Sequence, residues 1–317
     1  MKTWIVILMT FAVPAWAQTF VGTFVVVHGD VKILRPPAAN DPGPFAQLEG
    51  VKYSYEAAKI GKKVNPGEVI QSGTDGKAKI AYPNGDSFLV GNATSLVMPS
   101  VTDKSEQGTS AIKLIYGRMR SLISKSGPRN NMKVSTPSVV AGVRGTDFFT
   151  RANPDVGTQL TVLRGEVSVA STAKPEVSVA VKTGYSIEAS SKSKEAPKAI
   201  EATKEDLRGL QKESEVKATK EDLAKLSAEE KKQVSELNEK TKVAVIQDIK
   251  SYNPRLGAEL EKKHLSDDEL NSAVVDKLVR IAPAAQKKKM SKADADAAGQ
   301  GVYEKYYDDK ASKEKTK

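Results

Sequence analysis

Hydrophobic and polar positions divide this chain of 317 residues into two stretches with different periods. From residue 20 to about 190, apolar residues come in short β-branched runs. The first, FVGTFVVVHGDVKI (Phe20–Ile33), is broken at Gly29-Asp30. Strand-like runs recur at Ala78–Tyr82, Ser87–Val90, Ile112–Tyr116, Met132–Ser135, Gln159–Leu163, Glu166–Ala170 and Val177–Val181. Asp75-Gly76, Asn84-Gly85 and Pro154-Asp155 lie between them and favour tight turns. The pattern predicts an all-β body over residues 18–190, built as a layered roll, sandwich or short solenoid of short strands. Residues 36–63 break the rhythm. PPAANDPGP reads as an exposed loop and SYEAAKIGKK as a short helical or coil excursion.

A weak repeat runs through the body: Gly29-Asp30-Val31, Gly67-Glu68-Val69, Gly117-Arg118-Met119 and Gly165-Glu166-Val167 all read glycine, charge, apolar. A glycine that bends the chain, followed by an apolar residue re-entering the core, fits stacked strands. The spacings are too irregular for a strict repeat array.

Near residue 190 the composition turns to Ser, Lys, Glu and Pro, which predicts a flexible linker over 191–200. A helical region over 201–283 follows. ATKEDL occurs twice, with Thr203 or Thr219 as N-cap and Asp206 or Asp222 three residues on; Ser227–Glu230 and Ser266–Glu269 are capping boxes of the same kind. Leu270, Val274, Leu278 and Ile281 form the best apolar stripe, closed by Pro283, and Val234, Leu237, Ala244, Val245 and Ile249 a second. These helices are expected to pack on each other or on the β-body, with docking of another protein as the alternative. Residues 284–317 read as a disordered tail containing a sticky GVYEKYYDD segment.

The N-terminus reads as an export signal over residues 1–17: Lys2, an apolar run Trp4–Val13, then Ala15-Trp16-Ala17 at the cleavage site. The run is too short to span a bilayer, and no Cys follows it to carry a lipid. A soluble exported protein beginning at Gln18 is expected, in the periplasm or beyond, without a transmembrane segment in the mature chain. Cysteine is absent, which removes disulfides, thiolate nucleophiles and Cys-rich metal sites. The formal charge of +10 sits almost wholly in the first 199 residues, since the remainder holds 25 basic against 24 acidic groups. A basic body suggests an anionic neighbour in the envelope, such as a cell-wall polymer or an acidic protein, rather than nucleic acid. Arg118, Arg120, Lys125, Arg129 and Lys133 are the candidate contacts.

Catalytic machinery does not emerge. His28 and His264 are the only histidines and lie in different halves, and no nucleophile elbow, phosphate loop or metal-ligand spacing occurs. Asp75 and Asp86 could be imagined as a glycosidase pair, but both adjoin turn glycines. No enzyme and no cofactor are expected. The most informative stretch is TPSVVAGVRGTDFFT (136–150), where an apolar run meets Arg144, Gly145, Thr146 and Asp147. One reading is a clamp in which Arg144 pairs with Asp147 or Glu166 and fixes a sharp turn; the other offers Arg144 to an anionic ligand. The apolar flanks favour the clamp.

That stretch resembles the signature of FecR domains, a TP…VRGT.F core, carried here by Thr136, Pro137, Val143, Arg144, Gly145, Thr146 and Phe148. HGDVKI, VNPGEVIQSGTDGKAKIAYPNGDSFLV, LIYGRMRSLI, VLRGEVSVA and VKTGYSI resemble further elements of the pattern in order, over residues 24 to 188. The resemblance implies a compact, all-β, periplasmic, non-enzymatic module. In the regulators that name the family it is the periplasmic part of a membrane protein. A cytoplasmic segment of that protein controls a sigma factor, and its periplasmic part relays occupancy of an outer-membrane receptor. This chain carries an export signal where the cytoplasmic segment and membrane helix would stand, and a polar helical tail in place of a further sensor domain. The leading expectation is therefore an envelope binding or scaffolding protein. The alternative is a soluble accessory of a cell-surface signalling system. The sequence does not fix an oligomeric state.

Overall fold

Runs of β-branched residues, each ended by a glycine or a polar pair, give strands too short to bury a core alone, so they stack as two sheets. The structure, a computed structural model, describes residues 21–101, 110–125, 132–193 and 195–284. The expected export signal, and residues 285–317 of the expected tail, lie outside the described residues. The chain opens in a first sheet with β1 (Gly22–His28) and crosses to a second with β2 (Val31–Arg35), β3 (Phe45–Leu48) and β4 (Val51–Ala57). β5 (Lys63–Val64) returns to the first and β6 (Val69–Ser72) to the second. β7 (Lys77–Ala81) and β8 (Ser87–Val90) lie in the first, and β9 (Thr94–Val101) in the second. β10 (Ser110–Leu122) belongs to both. β11 (Met132–Ser135) and β12 (Val139–Val143) follow in the second, β13 (Asp147–Asn153) and β14 (Gly157–Arg164) in the first. β15 (Glu166–Ser171) and β16 (Lys174–Lys182) complete the second, β17 (Tyr185–Ser190) and β18 (Ala199–Glu201) the first.

The first sheet runs β5-β1-β7-β8-β10-β13-β14-β17-β18, antiparallel throughout. The second runs β3-β4-β2-β6-β9-β10-β11-β12-β15-β16, with a single parallel pair, β10–β11. All four glycines of the weak repeat have positive φ and stand where the chain passes between sheets. At Gly117 (φ 99) β10 switches sheets; a Cβ there would lie 2.4 Å from Thr94 Oγ1 and 2.5 Å from Thr94 Cα. The largest core lies between the sheets, with Phe24, Ile80, Phe88, Met119, Phe148 and Leu160 from the first meeting Ile33, Ile70, Leu96, Leu114, Val134 and Val169 from the second.

Residues 51–57 are strand, so the helical or coil excursion expected of SYEAAKIGKK is confined to the turn at 58–62. Tyr53 and Tyr55 on β4 pack with Leu34, Leu48, Val69 and Ile115, and this apolar cluster favours the β3–β4 hairpin over a free loop. The expected linker ends in order as well, because β18 pairs with β17.

Five helices follow: α1 (Lys204–Ser214), α2 (Lys220–Ala224), α3 (Ala228–Tyr252), α4 (Pro254–Lys262) and α5 (Asp267–Ile281). The four capping boxes form as read from the sequence. The helices cover the outer face of the first sheet. Val245, Ile246, Ile249, Leu260 and Leu270 pack on Leu89 and Leu122; Val216, Val234 and Leu237 pack on Val25, Val26 and Ala81; Leu207, Val275 and Leu278 pack on Leu163. The α5 stripe is rotated from the expected one. Val275 and Val279 are buried, Val274 is half-buried, and Ile281 at the helix end is 78% exposed. The result is three layers: open sheet, inner sheet, helices.

Candidate functional site

The stretch 136–150 is built from two turns around β12. Thr136 and Ser138 frame Pro137: the Thr136 hydroxyl accepts from the Val139 amide at 3.0 Å and lies 2.8 Å from the Thr158 hydroxyl, to which Ser138 donates at 2.7 Å. Val143 points into the core, then Arg144-Gly145-Thr146 carries the chain from the second sheet to the first. Gly145 has φ 66, and a Cβ on it would stand 2.5 Å from Lys125 Cβ and 2.8 Å from Lys125 Cα. Both the dihedral and the close approach call for glycine here. Thr146 and Phe148 are buried beyond it.

A carboxylate clamp exists at this turn, but its arginine is not Arg144. Asp147, 1% exposed, takes both Arg120 contacts, Nε to Oδ1 at 2.9 Å and Nη2 to Oδ2 at 2.8 Å. Arg120 stands opposite Phe149 in the β10–β13 ladder, so it and Asp147 are diagonal neighbours on one face. Arg144 leaves the sheet at the turn and is exposed. Glu166, the other expected partner, is exposed opposite Lys182.

The Arg120–Asp147 pair belongs to a row of charges buried between the first sheet and the helices. On β14, Arg164 donates to Asp248 of α3 at 2.7 Å, and the Lys125 amide also reaches Asp248. On β7, Lys79 binds Asp267 and lies 3.4 Å from Asp268, both at the start of α5. Arg151 binds Glu213 of α1 through two nitrogens, and Arg118 lies 3.5 Å from the same carboxylate. Cations come from the strands and most of the acids from the helices. Burial pulls the Lys79 ammonium down, but the carboxylates of Asp267 and Asp268 outweigh it and hold its pKa above the ordinary lysine value. Arg164 is likewise raised, since Asp147, Tyr252 and Asp248 more than offset its burial.

This arrangement changes the reading of the candidate anionic contacts. Arg120 is 2% exposed and cannot meet a partner outside the chain. Arg118 is half-buried against Glu213. Lys125 and Lys133 are exposed, and Arg129 lies outside the described residues. The sequence reading missed Lys79, Arg164, Glu213 and Asp248. A charge embedded in an apolar run, as in AKIA (78–81) or VAVIQDI (243–249), was the available signal.

A small recess lined by Leu89, Arg120, Ser214, Asp268 and Asn271 has room for water rather than a metabolite. Among the described residues no group of three His, Asp or Glu is placed to hold a metal ion. His28 and His264 are exposed on different elements. Asp86 accepts from the Ser124 amide at 2.9 Å and from Asn84, and Asp75 faces the Asp30 amide, so both serve turns. No described helix is long and apolar enough to cross a membrane.

Residues 68–190 match the family model described as FecR protein. The chain carries a FecR domain. In the structure the FecR domain runs from the approach to β6 to the end of β17 and includes the whole VRGT turn; β1–β5 and the helices lie outside the match. No curated protein matches the chain. Two crystal structures of a "putative anti-sigma factor" from Parabacteroides distasonis are similar to it. One is 16% identical over 42% of this chain and 59% of its own, the other 18% identical over 44% and 63%, each with a TM-score of 0.36. The chain thus spans about three fifths of the length of these neighbours. Within the FecR domain, Lys113, Lys133 and Arg144 are exposed, whereas Lys79, Arg118 and Arg164 on the first sheet are engaged by acids of the helices.

Proposed function

We propose that this protein is a non-catalytic recognition component of a FecR-type signalling system, acting as a soluble accessory in the periplasm. The FecR match over residues 68–190 carries this reading. The export signal read at residues 1–17 supports the location. The helices already occupy the outer face of the first sheet, so a partner engages the second sheet and its margins, near Lys133 and Arg144. Deleting the protein in its source cells should change the transcripts of a sigma-factor regulon under iron limitation. An unchanged transcript set would overturn the signalling role.

Binding of an anionic cell-wall polymer is the second reading, and the exposed Lys125, Lys133 and Arg144 favour it. It is weakened by the internal pairing of Arg118 and Arg120. Co-sedimentation with purified sacculi across a salt series separates the two. Polymer binding by these side chains should fade as salt rises and should be lost in a Lys125→Glu, Lys133→Glu, Arg144→Glu variant.

A further inference from the structure

β16 is the outermost strand of the second sheet. Among the described residues it pairs only with β15, and its ladder is regular from Ser178 to Lys182. Edge strands normally carry a device that discourages pairing, such as a central lysine, a proline or a bulge. Here the lysines, Lys174 and Lys182, stand at the two ends, and Pro175 and a break in register over residues 175–177 lie at one end, so Ser178–Val181 has none. Val177, beside the register break, is 42% exposed, whereas Val179 and Val181 turn toward the core.

The Thr183 amide donates to Gly165 carbonyl oxygen at 3.1 Å, which sets the phase of the strand. In an antiparallel ladder successive residues point their N–H and C=O groups to opposite sides. The odd-numbered residues therefore face β15, and Ser178, Ala180 and Lys182 present their backbone groups to the free edge.

We propose that two copies of this chain pair edge to edge through β16, antiparallel about a two-fold axis at Val179. The sequence EVSVAVK (176–182) is self-complementary about that residue. Ser178 falls opposite the partner's Ala180, Val177 opposite the partner's Val181, and Glu176 opposite the partner's Lys182, each twice by symmetry. Of the other registers, an axis at Ala180 forgoes the Glu176–Lys182 match, and two more are disfavoured outright. An axis at Ser178 sets Lys174 against the partner's Lys182, and a slip of one residue opposes groups that do not both face the edge. The open edge and the charge match thus select a second copy as the occupant.

Sedimentation equilibrium of the full protein from its source cells tests this. Wild type should show a reversible monomer–dimer equilibrium. Ala180→Pro removes an N–H that has no partner in the monomer, so far-UV circular dichroism and Tm should be unchanged while association weakens about tenfold to a hundredfold. Should that variant misfold, the charge pair decides: Glu176→Lys should weaken association, and Glu176→Lys with Lys182→Glu should restore it. A wild type that stays monomeric at every concentration overturns the proposal. So does Ala180→Pro associating like wild type, or a charge swap that fails to rescue.

Discussion

Replacing Asp248 with alanine is the sharpest test of how the helices are held. Asp248 is buried on α3 and is the hydrogen-bonded carboxylate partner of Arg164, itself buried on β14. It also accepts the Lys125 amide, which lies beside the Gly145 turn. Removing one member of a buried pair typically costs about 3–5 kcal/mol, because the remaining charge is left without compensation. Arg164 keeps Asp147 nearby, opposite it in the β13–β14 ladder, which places the expected loss at the lower end, about 3 kcal/mol. Asp248→Asn retains an acceptor but loses the charge, and should cost about 1.5–3 kcal/mol. Neither change should detach the helices, since each of Val245, Ile246, Ile249 and Leu270 contributes about 1.5–3 kcal/mol by burial against the sheet.

Both tryptophans, Trp4 and Trp16, precede the expected start of the mature chain, so urea unfolding is best followed by far-UV circular dichroism and tyrosine fluorescence. Arg144→Ala is the paired control. Arg144 is exposed and should cost no more than about 0.5 kcal/mol. If Arg144→Ala lost several kcal/mol while Asp248→Ala unfolded like wild type, the clamp would sit where the sequence alone suggested, and the buried charge row would be wrong.

Gly145→Ala should cost about 2–4 kcal/mol in the same assay, because a left-handed penalty of about 1–2 kcal/mol is joined by a collision with the Lys125 backbone. Gly184→Ala, at φ 83 with open space around it, should cost only the conformational part, about 1–2 kcal/mol. Burial pushes the Tyr116 phenol up to about 12. The folded state then keeps a proton that the unfolded chain loses near 10, so stability should fall as pH rises from about 10 to about 12, by roughly 3 kcal/mol. Tyr116→Phe should remove that part of the alkaline slope in a pH series of denaturation midpoints; an unaltered slope would refute the assignment. It should also lower stability at neutral pH by about 1–3 kcal/mol, because Gln71 loses the phenol oxygen it donates to.

Strands and caps were legible because they are written locally. Ser87–Val90 and Met132–Ser135 are strands with the bounds the sequence predicts, and Thr203, Thr219, Ser227 and Ser266 cap helices as their spacing requires. The VRGT stretch was legible as a turn, since Gly145 lies between apolar runs. Its clamp was not. Asp147 is three residues from Arg144 but reaches an arginine 27 residues back, brought alongside by the β10–β13 register. Register joins distant residues and leaves little local trace. The same holds for β4, whose SYEA looks like helix until Leu34, Val69 and Ile115 are placed beneath its tyrosines.

The charge asymmetry carries the same lesson to function. A body with nearly all of the net charge beside a neutral tail suggests a basic surface awaiting an anionic partner. Yet Lys79, Arg118, Arg151 and Arg164 are met by Asp267, Glu213 and Asp248, acids supplied by the tail's own helices. These cations and the apolar residues around them bind one amphipathic, acid-bearing layer, and that layer belongs to the same chain. Lys79 shows how firmly: a lysine held above its ordinary pKa contributes stability below that ordinary value and loses it only as pH rises through the raised one. Its pair therefore does not loosen as pH rises from about 5 to about 8. A partner that recognises the FecR domain has to read the other sheet, where Lys113, Lys133 and Arg144 stand exposed and β16 leaves an edge unpaired among the described residues.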